Sequence, residues 1–269
     1  MTVGEFSNFW RQPTTQRTNI LNLLSLNVSD TALATEIQLP SLVREVGWAQ
    51  TLLTTTTASS QKSPPYKPVE KYILFSMAHS FTDFHIDFGG SSVFYHLVKG
   101  RKTFYCIEPT NSNLALFEGW LGEDSVAAAP NFFGDRAEGC FEVNLLEGQL
   151  LFIPSGWIHA VWTPVDSVAV GGNFLHTFGA ELQGRIQQME DRVEEPEKFR
   201  FPGALNLARE TAAHYYSDLL ACPNETLSPM ELRGAGALAT FLQESDPCKT
   251  KRKQWERLAE LVNSMLLSA

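Results

Sequence analysis

Four cysteines are scattered over 269 residues, at Cys106, Cys140, Cys222 and Cys248, with no C-x-x-C pair among them. That spacing indicates neither a disulfide framework nor a cysteine-built zinc finger, and a reducing compartment is the expectation. Long hydrophobic runs are missing too. No apolar stretch approaches the ~18 residues of a membrane span, and the opening MTVGEFSNFWRQ lacks a basic segment followed by an apolar one. A soluble, intracellular chain with no membrane partner is expected. Positive charge is in deficit: Lys plus Arg number 21 against 30 Asp plus Glu, a net charge of −9. Such a surface is poorly suited to gripping a phosphate backbone, so nucleic-acid binding would be secondary at most, and it suits a Lys- and Arg-rich peptide better. The sequence contains no evident internal repeat.

What is present is a large apolar inventory, 43% hydrophobic and 11% aromatic, enough for one large domain or a main domain with an appendage. Residues 1–69 carry short helical patterns and a Thr/Ser/Pro-rich loop, TTTTASSQKSPPYKP at 54–68, and read as a helical and linker segment packed on a core. From 70 to 178 the texture is strand. KYILFSMA, SSVFYHLV, KTFYCIEP, GQLLFIPS, IHAVWTP and SVAVGGNFL are short apolar or alternating runs punctuated by Gly, Pro and Asp-Ser, which predicts a barrel or two-sheet jelly roll. Residues 179–269 switch to helix formers at helical spacing. The basic cluster KTKRK at 249–253 is expected to be a solvated helix face.

Within the strand region, FTDFHIDFGG places Asp83, His85 and Asp87 among aromatic and apolar residues. Burying an unpaired charge costs roughly several kcal/mol, so such groups are exposed, hydrogen-bonded or bound to a metal. On a strand, residues two apart share a face, so His85 and Asp87 would project together as a two-toothed ligand. A third ligand must come from another strand, and LLFIPSGWIHAVWT offers His159. His-x-Asp plus a distant His is the facial triad that leaves positions open on a non-haem Fe(II). Asp83 is assigned a structural or exposed role, and His79, His96, His176 and His214 read as packing or surface residues. Thr82, three residues before His85, and Lys102, on the next predicted strand, would suit a carboxylate deep in a barrel: a hydroxyl donor and a point charge.

The segments TDFHIDFGGSSVFYHLVKGRKTFYCIEPTNSNLALFE, NFFGD, LFIPSGWIHAVWTPVDSVAVGGNFLH and FRFP resemble the JmjC histone lysine demethylases, in the branch of the JHDM1 and PHD-finger enzymes. The resemblance runs from LNLLSL to the C-terminal helices. It implies a cupin-like double-stranded β-helix with helical segments before and after it, and it makes His85, Asp87 and His159 the iron ligands. Thr82 and Lys102 match the pair that holds the distal carboxylate of 2-oxoglutarate, while Tyr95, Asn22 and Asn173 match positions lining the co-substrate pocket. Read alone, those last three would be a core aromatic, a turn or cap residue and a strand-end residue.

The implied reaction uses Fe(II), 2-oxoglutarate and O2 to hydroxylate an N-methyl group of a lysine, which then leaves as formaldehyde. The implied partners are the methylated histone H3 tail and chromatin, with lysine 36 in its mono- and dimethyl forms as first choice and lysine 9 or 27 behind it. A protein hydroxylase and a non-catalytic chromatin scaffold are the competing readings. Nuclear residence follows from the resemblance alone. Four scattered cysteines cannot build the PHD or CXXC fingers that accompany this domain in its family, so a catalytic fragment of a longer protein is expected ahead of a minimal enzyme.

Overall fold

Two strands of unusual length, β4 (Ser92–Ile107) and β7 (Ile158–Phe174), organise the molecule, and most other strands pair with one of them. The computed structural model describes residues 2–56, 69–121, 132–221 and 227–268; most of the Thr/Ser/Pro-rich loop and Cys222 lie outside them. The remaining strands are β1 (Asn22–Asn27), β2 (Tyr72–Ser76), β3 (Ser80–His85), β5 (Phe141–Leu146) and β6 (Leu150–Ile153).

All pairings are antiparallel. The first half of β4 pairs with β6 and with the second half of β7, which continues to β2 and β1. The second half of β4 pairs with β5 and with the first half of β7, which continues to β3. Two sheets therefore share β4 and β7 and curl into the expected jelly roll.

The sequence divides each of these long strands in two, at Val98–Lys102 and at Pro164–Ser167. In the structure each is continuous. Gly100 takes φ 96° and three register shifts accumulate between Leu97 and Thr103, so the break is absorbed as a bend between the sheets. Pro164, without an N–H to donate, sits where the ladder is already interrupted: Thr103 pairs with Trp162 and Arg101 with Val165. Arg17 straps the N-terminal segment to this bend through a paired contact to Asp166, 2.7 Å at each oxygen.

Residues 1–69 are not purely helical and linker, because β1 is an edge strand of the sheet. Around it lie α1 (Val3–Trp10), α2 (Leu33–Glu36), α3 (Ser41–Val46) and α4 (Trp48–Thr56). Inside the strand region, α5 (Asn111–Leu121) and α6 (Phe133–Arg136) connect β4 to β5. The C-terminal helices are α7 (Ala180–Arg192), α8 (Ala204–Ala221), α9 (Pro229–Ser245) and α10 (Arg252–Ser268). Helix α9 starts where the sequence dictates: Ser228 and Glu231 form a reciprocal capping box and Pro229 occupies the first turn. Its buried Leu232, Ala235, Leu238, Ala239 and Leu242 recur at helical spacing.

One core joins α3, α4 and α8–α10 to the outside of the sheet, and Trp48 Nε1 bonds Thr177 Oγ1 across it at 2.9 Å. A second lies under α5 and α7, around Phe84, Phe117, Phe133 and Ile186. The third fills the barrel with Val93, Tyr95, Leu97, Phe104 and Val161. Lys249, Arg252 and Lys253 of the basic cluster are exposed, as expected of a solvated face.

Candidate metal centre

One donor atom from each of His85, Asp87 and His159 can be chosen so that all lie within 4.8 Å of one another, close enough for a shared ion. The route to this geometry differs from simple strand alternation. His85 is the last residue of β3, whereas Asp87 stands beyond it in extended backbone (φ −61°, ψ 143°), capping the 3-10 turn Phe88–Gly90. His159 pairs directly with His85 on the neighbouring strand, and the two rings lie 4.3 Å apart.

Both imidazoles are set in the form a metal requires. His85 Nδ1 lies 2.8 Å from the carbonyl of Asp83, and His159 Nδ1 lies 3.1 Å from that of Trp157. A ring nitrogen facing a carbonyl oxygen carries the proton, which leaves each Nε2 as a lone-pair donor. His159 is 3% exposed; burial and the neighbouring His85 push its pKa down to about 4, against a smaller upward pull from Asp87 and Trp157. It is therefore neutral at pH 7. Asp87 Oδ2 stands 3.5 Å from His159 Nε2, while its Oδ1 accepts from Asn173 Nδ2 at 2.9 Å. Asn173 Nδ2 also reaches Ser91 Oγ at 3.1 Å. Asp83 lies inside β3, not at a turn; it is exposed and its Oδ1 accepts from Phe84 N at 2.8 Å.

Beside the three ligands is a cavity of about 120 Å3 whose walls include Thr82, Val93, Tyr95, Lys102, Phe104 and Asn173. Thr82 and His85 share it because β3 carries an extra residue. Thr82 pairs with Val161 and His85 with His159, so three steps on β3 match two on β7 and both side chains return to one face. Lys102 is 3% exposed, and burial lowers its pKa to about 7. Its Nζ donates to Thr163 Oγ1 at 2.7 Å, and among the described residues no carboxylate forms an ion pair with it. Tyr95, buried and edge-on to Phe104, has its phenol pKa raised by burial. Asn22 stands behind Thr82 and donates to its Oγ1 at 3.1 Å, its own Oδ1 buried without a partner.

The cavity opens into a wider cleft of about 670 Å3, with Leu24, Ser25, Tyr72, Thr82, His85 and Asp87 common to both. Its far walls come from α5, α7 and the turn after α7, including Phe117, Met189, Glu190, Glu195 and Phe199. Leu24 and Ser25 reach the mouth because β1 bulges between Leu23 and Leu26, with Ser25 at φ 60°.

Sequence reasoning missed several of these groups. Thr163 was within reach, since 159, 161 and 163 alternate onto one face of β7. Glu190 and the β1 bulge carry no local signal. Among the other histidines, His79 and His214 take the expected packing and surface roles, against Trp162 and Asp218, whereas His176 is a hydrogen-bonded cap. It caps a turn and bonds Ser92 Oγ at 2.8 Å.

The donor set fits a divalent transition ion, with two imidazoles, one carboxylate and open space on the cavity side. The cavity fits an anion, because Lys102 is a buried amine that pairs with no carboxylate among the described residues. Residues 72–174 match the family model described as JmjC domain, hydroxylase. The chain is 42% identical over 202 residues to Histone lysine demethylase PHF8 of Danio rerio and 41% identical over 202 residues to Lysine-specific demethylase 7A of Mus musculus. To Lysine-specific demethylase 2B of Mus musculus it is 42% identical over 211 residues. Each match covers 75% of this chain but 19%, 20% and 16% of the respective relative. The chain thus spans a fifth or less of the length of these curated relatives.

Proposed function

Residues 72–174 belong to the JmjC hydroxylase family, and from that premise we propose that this chain is the catalytic unit of an Fe(II)- and 2-oxoglutarate-dependent histone lysine demethylase. The observation that carries the reading is the union, in one cavity, of three metal donors with a buried lysine that pairs with no carboxylate among the described residues. His85, Asp87 and His159 hold the iron in this reading. Lys102 and Thr82 hold the distal carboxylate of 2-oxoglutarate, with Tyr95 on the wall beside them. Asn22 fixes the Thr82 hydroxyl, and Asn173 fixes the Asp87 carboxylate.

When bound, iron with 2-oxoglutarate and O2 supplies the oxidation of an N-methyl group, whose carbon leaves as formaldehyde. The protein's share is placement and exclusion of water. Val93, Phe104, Ile153 and Val161 give the cavity apolar walls. The cleft lies on the open side of the ligands and is the approach for a lysine side chain carried on an extended peptide. Within the histone H3 tail the proposed marks are mono- and dimethyl lysine 36, a choice resting on the branch resemblance of the motifs. Residence in the nucleus, on chromatin, follows from that substrate.

The test is mass spectrometry of methylated H3 tail peptides incubated with iron-loaded protein, 2-oxoglutarate and air, with His159→Ala as control. Loss of one methyl mass from the lysine-36 peptide, absent in the control, is the expected result. Loss from a lysine-9 or lysine-27 peptide would replace the site, and gain of one oxygen would make the chain a hydroxylase. An unchanged set of peptides beside measurable iron binding would overturn the demethylase reading.

A further inference from the structure

The Gly-Gly turn that follows Asp87 is gripped from outside the JmjC match, by α7. Gly89 and Gly90 take φ 63° and 62°, a region costly to residues with a Cβ. There is no room for one either: it would stand 2.9 Å from Ile186 Cβ of α7 at Gly90 and 2.9 Å from Phe201 Cβ at Gly89. Gly90 N bonds back to the Asp87 carbonyl at 2.9 Å, closing the turn. Gly89 N finds its acceptor 101 residues away, in the carboxylate of Glu190, at 2.5 Å. A buried backbone N–H needs an acceptor, and this side-chain oxygen supplies it.

Glu190 is itself held. Arg200 Nη2 bonds the Glu190 carbonyl at 3.0 Å, its Nε bonds the Glu195 carbonyl at 2.8 Å, and its Nη1 pairs with Asp191. The Phe88 ring meets Phe201 nearly edge-on at 5.6 Å. The metal-ligand turn is thereby docked on the end of α7 and the loop that follows it. Asp87 is oriented at its carboxylate by Asn173 and at its backbone by whatever fixes Gly89.

We propose that Glu190 is a positioning residue for the metal centre: by accepting from Gly89 N it sets the turn, and the turn sets the direction of the Asp87 carboxylate. This rests on the metal-centre reading and adds to it a contribution from the C-terminal helical region. Residues that orient a metal ligand at one remove typically change affinity by about 10–100-fold when lost.

Two variants separate this role from simple stability. Glu190→Gln keeps an oxygen acceptor of the same reach, whereas Glu190→Met keeps the side-chain length and removes the acceptor. The measurement is Co(II) titration of the full chain, followed by calorimetry and by the visible d–d bands, with His85→Ala as the non-binding control and thermal melting of the metal-free proteins alongside. The expected result is Co(II) affinity weakened about tenfold with altered bands in Glu190→Met, and near-native affinity and bands in Glu190→Gln. Native affinity in Glu190→Met would overturn the proposal, including when its melting temperature falls. Equal losses in both variants would also overturn it, by assigning the effect to charge instead of the hydrogen bond. Absence of Co(II) binding by the unsubstituted chain would bring down the metal-centre reading itself, and this one with it.

Discussion

Lys102 Nζ, on the wall of the cavity, donates to Thr163 Oγ1 at 2.7 Å, and among the described residues few charged groups are buried this deeply. A neutral hydroxyl compensates little of the cost of dehydrating a cation. Lys102→Met is therefore expected to stabilise the apo protein, by roughly 1–4 kcal/mol near pH 6, while abolishing 2-oxoglutarate binding. Chemical denaturation and calorimetric titration of the same variant check both halves; a destabilised variant would mean that the charge is already neutralised.

The same residue gives a pH dependence. Burial lowers its pKa from 10.5 to about 7, so the folded protein binds fewer protons than the unfolded chain between those values. The wild-type stability contribution of Lys102 accordingly rises from pH 7 to 10.5, and the advantage of the Met variant shrinks over that window. Binding a carboxylate restores the charge, so above pH 7 it requires proton uptake. The affinity for 2-oxoglutarate is expected to fall by up to about tenfold per pH unit between pH 7 and 9, measured by titration in buffers of different ionisation enthalpy.

Asn173 leaves the peptide ladder intact when its side chain is removed, but frees Asp87 Oδ1 to rotate. Asn173→Ala is expected to weaken Co(II) binding about tenfold without a large change in melting temperature. Unchanged affinity would show that the Ser91 contact, and not the Asp87 contact, is what the side chain serves.

Asp246 tests the C-terminal helices. Its side chain is 1% exposed and accepts from Arg209, from Cys248 N at 2.8 Å and from Trp255 Nε1 at 3.0 Å. Burial opposes its ionisation, yet those hydrogen bonds and the Arg209 charge together hold its pKa at about 2. Asp246→Ala leaves a part-buried guanidinium and an indole N–H without their acceptor, at a cost of about 1–3 kcal/mol at pH 7. Because the folded pKa lies below the unfolded value near 4, the difference from wild type should persist down to pH 4 and narrow towards pH 2. Acid melts of both proteins check the window.

How legible all this is in the sequence depends on the range of the interaction. His85, Asp87 and His159 are found by local spacing and by the strands that carry them, and the jelly roll by alternation and turn residues. The bend at Gly100 and Pro164 is read as two breaks because a Gly or Pro in a strand ends it unless a partner strand bends with it, and that partner is some 65 residues away. Asp87 and His85 come together through a turn where simple alternation would do, so the expectation is right about proximity and wrong about cause. β1 escapes because its burial is shared with a strand 50 residues on. Glu190 is invisible for the same reason: its role exists only once α7 has docked.

β7 is the common partner of β2, β3 and β4, and it is the last of the seven strands among the described residues. Until residues 158–174 have been synthesised, three earlier strands each present an open backbone edge to their surroundings. The nascent protein therefore passes through a stage in which most of its sheet is made but unjoined, a stage suited to capture by chaperones and prone to mispairing between chains. Metal has no part to play in that stage, because the third ligand arrives on the strand that ends it. If His85, Asp87 and His159 hold a metal as proposed, its loading reports that the barrel has closed.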